Sequence, residues 1–308
     1  MAQSSPPPDL DALGIELPPN RPHQFVFSNK VGGFWYGETQ RENRPSHQGF
    51  TLLEQRYLKD YAVHLGDTLL SRSAAETIVL YPDRLVRGYP QLTETLYFAD
   101  KLNGLLVELH SPTPQFLRVA FQFDPILGEL TWRWDASLPA AFAVAPRLSG
   151  EQPAYIAVAA WGEVGEVTPE LSPLPRADAG KTGEASPAFS LGGLNLPELR
   201  RGYFAVLVGR NEADLRHSLQ ALQRQPLQGV EHRRRRLQRL LQQAELITPD
   251  RQINRAYAWA LLSMDDLVVG QPHPGIWAGL PWFNQFWGRD SFISLTGALL
   301  CTGQLETA

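Results

Sequence analysis

Residues 275–295 of the chain read GIWAGLPWFNQFWGRDSFISL. Three tryptophans in this stretch, Trp282 and Trp287 among them, surround an adjacent cation and anion, Arg289 and Asp290. Aromatic rings stack on the apolar C–H face of a sugar ring, and charged groups bind several of its hydroxyls in fixed directions. The stretch therefore indicates a carbohydrate-binding site, and the rest of the sequence is interpreted around it.

The same residues also allow a purely structural interpretation. Asp290 is followed by Ser-Phe-Ile-Ser-Leu, which is typical of a helix start with Asp290 as the N-cap. Its carboxylate would then accept hydrogen bonds from the backbone N–H groups of the first helical turn. Arg289 would be an ordinary surface partner of that carboxylate. The local pattern alone leaves both interpretations open.

A longer run, PWFNQFWGRDSFISLTGALL over residues 281–300, resembles the signature of glycogen debranching enzymes of the bacterial and archaeal type. It is similar to the start of their amylo-α-1,6-glucosidase domain, an (α/α)6 six-hairpin barrel. The resemblance implies that Arg289 and Asp290 hold the non-reducing-end glucose of an α-glucan such as glycogen or limit dextrin. It implies wall positions for Trp287 and Trp282, and it implies neither a cofactor nor a metal ion.

The sequence departs from this family in one respect. The family's general acid and general base lie on later barrel helices, and this sequence ends at Ala308. We therefore expect an N-terminal portion that carries substrate-binding residues, contains no catalytic residue and is inactive by itself. Two alternatives stay open, namely a non-catalytic carbohydrate-binding β-sandwich module and another six-hairpin glucosidase or trehalase-like hydrolase.

The composition of the 308 residues, with 43% hydrophobic and 19% charged residues, is that of an ordinary globular protein. A net charge of −4 gives no electrostatic reason to expect nucleic acid or an anionic membrane as a partner. No run approaches the ~18–20 apolar residues that span a bilayer, and the N-terminus lacks the features of a secretory signal. The single cysteine, Cys301, suits a reducing compartment and is expected to be buried. These features predict a cytoplasmic protein, and they favour no oligomeric state.

The sequence pattern divides the chain into four segments, from strands to helices. Many short alternating runs separated by turn residues favour an antiparallel β-sandwich, and leucines at helical spacing follow it. The fold class predicted is thus mainly β and then α. The segments are a disordered proline-rich lead-in (1–22), the β-sandwich (23–210), a helical linker (211–247) and the first helices of the glucosidase barrel (248–308).

Three further groups of residues have structural interpretations based on their spacing and type. Trp132 and Trp134 lie two apart, so on a strand they share one face, which favours the sandwich core over a sugar platform. The arginines of residues 233–236 are interpreted as a solvated helix face rather than a nucleic-acid site. Asp265 and Asp266 point ~100° apart on a helix, so they are interpreted as exposed or capping residues and not as a catalytic pair.

Overall fold

Strands occupy the first two thirds of the chain, and helices follow. A computed structural model describes residues 8–44, 46–146, 153–162, 167–170, 190–270 and 274–307. The strands are β1 (Ile15–Glu16), β2 (Gln24–Ser28), β3 (Gly33–Glu38), β4 (Gly49–Leu52), β5 (Gln55–Leu65), β6 (Thr68–Leu69), β7 (Thr77–Leu80), β8 (Arg84–Gly88), β9 (Thr93–Tyr97), β10 (Gly104–Phe123), β11 (Arg133–Asp135), β12 (Ala140–Ala145), β13 (Ala154–Gly162), β14 (Thr168–Glu170), β15 (Ser190–Gly209), β16 (Val268–Val269) and β17 (Gly275–Ile276). The helices are α1 (Glu212–Arg224), α2 (Gln228–Gln243), α3 (Arg251–Leu267) and α4 (Gly288–Leu295), and α4 continues as a π-helical turn, Thr296–Leu300.

Two 20-residue strands, β10 and β15, pair with each other and join the two layers of the β-structure. The first part of β10 pairs with β9, and its second part pairs with β5. In β15 the first part pairs with β14, and the last part pairs with β13. The β10–β15 register shifts between His110 and Leu117, and such irregularities bend strands. Each long strand therefore passes from one layer into the other.

Apolar residues from both layers meet in one large core. Phe121 and Phe204, on the paired long strands, lie 5.7 Å apart between ring centroids, and both are buried. Trp132 packs on Phe123 at 5.0 Å, and Trp134 also packs against this core. The interpretation of Trp132 and Trp134 as sandwich residues is therefore confirmed.

A second apolar cluster lies on the outer face of the sheet, under helix α1. Leu215, Leu219 and Leu222 repeat at helical spacing on α1 and pack on alanines of β12 and β13. The N-cap of α1 is Asn211, whose side chain accepts a hydrogen bond from the backbone N–H of Asp214 at 2.8 Å. Burial of this leucine stripe fixes α1 on the sheet.

The N-terminal segment is ordered where the structure describes it. The sequence predicted a disordered lead-in over residues 1–22, of which 1–7 lie outside the described residues. From Pro8 onward the prediction is wrong, because Leu10 is fully buried among leucines of α2 and α3 and β1 pairs with β7. Asp11 also forms ion pairs with Arg84 (2.9 Å) and Arg234 (3.0 Å). A high proline content indicates an extended backbone, but it gives no information on the tertiary contacts that order this segment.

The structure confirms the predicted fold class, an antiparallel β-sandwich followed by helices. Helix α3 begins at Arg251, and its N-cap is Asp250, which accepts from the backbone N–H of Gln252 at 2.8 Å. Cys301 is exposed, so its predicted burial is wrong. No helix in the described part of the chain has the length and apolar character to cross a membrane.

Candidate functional site

The tryptophan-rich stretch forms a hairpin-like loop between β17 and α4, residues 277–287, which we call the motif loop. Gly279 and Phe283 form two backbone hydrogen bonds: the N–H of Gly279 donates to the carbonyl of Phe283 at 3.0 Å, and the N–H of Phe283 donates to the carbonyl of Gly279 at 2.8 Å. The backbone N–H of Ala278 also donates to the carbonyl of Gln285 at 3.0 Å. Where the loop enters α4, the hydroxyl of Ser291 donates to the carbonyl of Ile276 at 3.0 Å. These bonds hold the loop and the start of α4 as one unit.

The three tryptophans of this loop have different environments. Trp277 is only 6% exposed and contacts Phe34 of β3 edge-to-face at 6.0 Å, so it anchors the loop on the sandwich. Trp282 is 59% exposed and touches Tyr36 with ring centroids 5.9 Å apart. Trp287 is 43% exposed and contacts Phe283 at 5.3 Å. Trp282 and Trp287 therefore offer aromatic surface to a ligand, and Trp277 does not.

Arg289 and Asp290 lie in the first turn of α4, whose N-cap is Trp287 without a side-chain cap bond. The interpretation of Asp290 as the N-cap is therefore wrong, although a carboxylate in the first turn still complements the helix dipole. Arg289 Nε lies 3.8 Å from Asp290 Oδ2, and the Arg289 side chain is 79% exposed. Ion pairs this long and exposed contribute little to stability. Both charged groups thus keep bonding capacity for an uncharged polar ligand.

Six charged residues, all buried or partly buried, form a network between the sandwich, α2 and α3. Arg233 lies between Asp100 (3.0 Å) and Asp266 (2.9 Å), and Arg236 bonds to Asp265 at 2.7 Å. Lys30 adds a second cation on Asp265 at 3.1 Å. The network balances three cations and three anions: Lys30, Arg233, Arg236, Asp100, Asp265 and Asp266.

Two sequence interpretations are corrected by this network. The arginines of residues 233–236 are not one solvated face, because Arg233 is fully buried and Arg234 pairs with Asp83 at 2.7 Å. Asp265 and Asp266 are neither exposed nor caps, because both carboxylates bond to arginines of α2. Burial raises the pKa of Asp265, but Lys30 and Arg236 lower it more, and its pKa falls below the usual range. The network fixes α3, and with it the motif loop, against the sandwich.

The sandwich itself supplies polar residues that face the motif loop. A cavity of about 420 Å³ lies between them, with Pro281, Trp282 and Asn284 on the loop side. On the sandwich side it is lined by residues of the β3–β5 region and of the turn after β10, namely Phe34, Ser46, His47, Thr51, Glu54, Gln55, Arg56, Asp124 and Ile126. The sequence did not predict these residues as part of a site.

Of the four predicted site residues, only Trp282 lines this cavity. Trp287, Arg289 and Asp290 lie together at the start of α4. The Leu53–Glu54 turn on the sandwich side contains no glycine, asparagine or proline, so no turn signal in the sequence marks it.

A family model described as amylo-alpha-1,6-glucosidase matches residues 254–308. This range includes α4 and the whole Trp-Gly-Arg-Asp run, so the part of the chain that is similar to this glycosidase family contains these residues. Among solved structures, a putative kojibiose phosphorylase from human microbiome is similar at a TM-score of 0.49 and 8% sequence identity. The match covers 82% of this chain and 40% of that one, so the chain spans less than half of that protein. No curated protein matches the chain.

Proposed function

We propose that this chain holds the non-reducing-end glucose of an α-glucan for a glycoside hydrolase that removes α-1,6-linked glucose at glycogen branch points. The observation that carries the proposal is the pair formed by the exposed Arg289 and the half-buried Asp290, two residues after the exposed Trp287 and within the range of the glucosidase family match. The guanidinium presents its donors in a planar fork, and the carboxylate accepts only. Arg289 therefore donates hydrogen bonds to hydroxyls of the sugar, and Asp290 accepts hydrogen bonds from neighbouring hydroxyls of the same ring.

Holding the sugar is a substantial part of glycoside cleavage. Cleavage needs one carboxylic acid on the leaving oxygen and one carboxylate that activates water or attacks the sugar. A rigidly held ring reacts faster because its orientation is fixed before the reaction begins. We assign Arg289 and Asp290 to this positioning role, with Trp287 and Trp282 as wall residues. We assign neither a general acid nor a general base to any described residue.

Carbohydrate binding without cleavage is a second candidate function, because two deeply buried carboxylates of the sandwich are held in ion pairs and do not serve as acid or base. Glu94 lies 2.7 Å from Arg87, and Asp60 lies 2.6 Å from Arg72, all within the sandwich. Each of these carboxylates is paired with an arginine, and burial keeps both from a substrate. These groups therefore stabilise the fold, and the proposed role of the described residues is recognition.

Affinity electrophoresis in native gels that contain glycogen tests sugar holding. We expect retardation of the chain, and loss of most of it in Asp290→Asn, because an amide replaces a charged acceptor. Asp250→Asn is the matched control, since asparagine also caps helices and Asp250 caps the start of α3. That end lies about 25 Å along α3 from Leu267, whose carbonyl accepts from the backbone N–H of Trp277 in the loop. No retardation of the unaltered chain, or equal retardation of both variants, would reject the proposal.

Glucose release from glycogen limit dextrin separates holding from cleavage. The chain of residues 1–308 is expected to release no glucose above background. Release that is lost in Asp290→Asn would place an acid and a base among these residues and contradict the positioning role.

A further inference from the structure

The cavity lined by Trp282 has a neighbour, a second cavity of about 300 Å³ that shares two lining residues with it, Glu54 and Asn284. Both cavities are lined by these two residues, one from the sandwich and one from the motif loop. The second cavity extends along the loop to Gln285 and Phe286. We call the two together the interdomain groove. Each part has the size of a small-molecule site, and its two-part form suits a ligand with several units.

The sandwich wall of the groove contains unusual backbone conformations. Among the residues that the structure describes, five non-glycine residues have positive φ, and three of them line the groove: His47 (66°), Leu53 (48°) and Glu54 (69°). Leu53 and Glu54 form the whole connection between β4 and β5, where glycine or asparagine is the usual residue. Side chains in the left-handed region cost conformational energy, and such residues cluster at ligand-binding sites. The turn keeps its two side chains at the groove despite this cost.

The opposite wall supplies aromatic surface and amides. Trp282 contacts Tyr36 with its ring at 72° to the tyrosine ring, and most of the indole stays exposed. Asn284 adds an amide that both donates and accepts. The half-buried Arg56 guanidinium bonds to Asp124, so these two charges of the cavity lining are paired. An aromatic face, amides, the exposed carboxylate of Glu54 and a paired Arg56–Asp124 fit an uncharged ligand with many hydroxyls.

From these features we infer that the interdomain groove binds a linear α-1,4-linked segment of the glucan, with the sandwich forming one wall of the site. This inference rests on the proposed function for the nature of the polymer, but it uses different residues. Trp282 stacks on one glucose unit, and Glu54 and Asn284 bond to hydroxyls at the junction of the two cavities. The sandwich is then a part of substrate recognition and not only a support for the helices.

Isothermal titration calorimetry with maltoheptaose tests this inference on the chain of residues 1–308. Glu54→Gln and Asn284→Ala are expected to weaken binding by about tenfold each, because each removes a hydrogen-bonding partner at the junction. Glu76→Gln is the matched control, an exposed carboxylate next to β7 that does not line the groove. Thermal unfolding of every variant verifies that the fold is retained.

The pattern across the variants separates this inference from the proposed function. Unchanged affinity in both Glu54→Gln and Asn284→Ala, with a loss in Asp290→Asn, would overturn the groove and leave the holding role of Asp290. The reverse pattern would support the groove and overturn that role. Equal binding of β-linked cellohexaose would overturn the assignment to an α-glucan.

Discussion

Replacement of Arg233 by methionine tests the buried charge network more directly than any other single change. Arg233 donates to the carbonyl of Ser28 (2.6 Å) and to the carboxylates of Asp100 (3.0 Å) and Asp266 (2.9 Å). It thereby bonds at once to the sandwich and to α3, while belonging to α2. Methionine fills much of the same space with an apolar chain but leaves two partly buried carboxylates without this cation.

The expected loss follows from the burial of these groups. Removing one partner of a buried ion pair costs about 3–5 kcal/mol, since the remaining charge has lost its compensation. Arg233 is fully buried and its two partner carboxylates are only 14% and 16% exposed, so solvent screens these pairs weakly. Whole domains are stable by only about 5–15 kcal/mol, and the change is therefore a large fraction of the total.

Urea denaturation, followed by tryptophan fluorescence and circular dichroism, measures the loss. We expect the midpoint of Arg233→Met to fall by roughly 1–2 M urea. Arg235→Met is the matched control, because Arg235 is exposed on the same helix, and it should stay within about 0.5 kcal/mol of the original chain. The double variant Arg233→Met/Asp266→Asn should recover about 1–3 kcal/mol relative to the sum of the single changes, because one of the two orphaned charges is then absent.

A loss below about 1 kcal/mol in Arg233→Met would refute this reasoning, because the network would then contribute no more than an exposed ion pair. Strict additivity of Arg233→Met and Asp266→Asn would refute the direct pairing of the two side chains.

Three further outcomes follow from the structure. Gly49→Ala should lower the free energy of unfolding in urea by more than about 2 kcal/mol, because the φ of Gly49 is +124° and a Cβ would lie 2.0 Å from a carbonyl oxygen of β5. Gly66→Ala is the control: Gly66 has a φ of +56° and open space around it, so the free energy of unfolding should fall by about 1 kcal/mol, and equal losses in the two variants would contradict this reasoning. Burial raises the pKa of Glu94 but Arg87 lowers it more, so the pKa in the folded protein is below the unfolded value of 4.5. The stability that Glu94 contributes is therefore present above that pH and is lost as the pH falls, and urea midpoints measured down to about pH 3 should fall less steeply in Glu94→Gln than in the original chain. Cys301 is exposed, so a thiol reagent should modify it in the native chain nearly as fast as in urea, and protection in the native chain would contradict its position.

The sequence predicts the strands and helices well because their signals are local. Leu215, Leu219 and Leu222 repeat at the helical period, and the structure buries all three against the sheet. Alternation of apolar and polar residues from Gln115 to Phe123 likewise indicates a strand, and the structure has the second part of β10 there. Periodicity depends on which face of one element meets a core, and that face is visible in a short window.

Charge pairing is not visible in such a window. The four arginines of residues 233–236 look like a solvated run, yet the partners of Arg233 are Asp100 and Asp266, 133 and 33 residues away. Only the packing of three elements decides which arginine is buried. The same holds for Glu54, whose place at the groove depends on a turn that no glycine marks and on a loop more than 200 residues later.

The pairing of β10 with β15 has a consequence for how the chain is made. Leu105 pairs with Val206, so 101 residues separate the partners, and topologies with such distant contacts fold slowly. At about 5–20 residues per second, a ribosome needs roughly 5–20 s to synthesise the intervening chain. During that time the whole β15 side of β10 is an open strand edge with buried-type residues such as Val107 and Val119, the kind of surface that aggregates. The nascent protein is therefore expected to depend on chaperone protection until β15 has emerged.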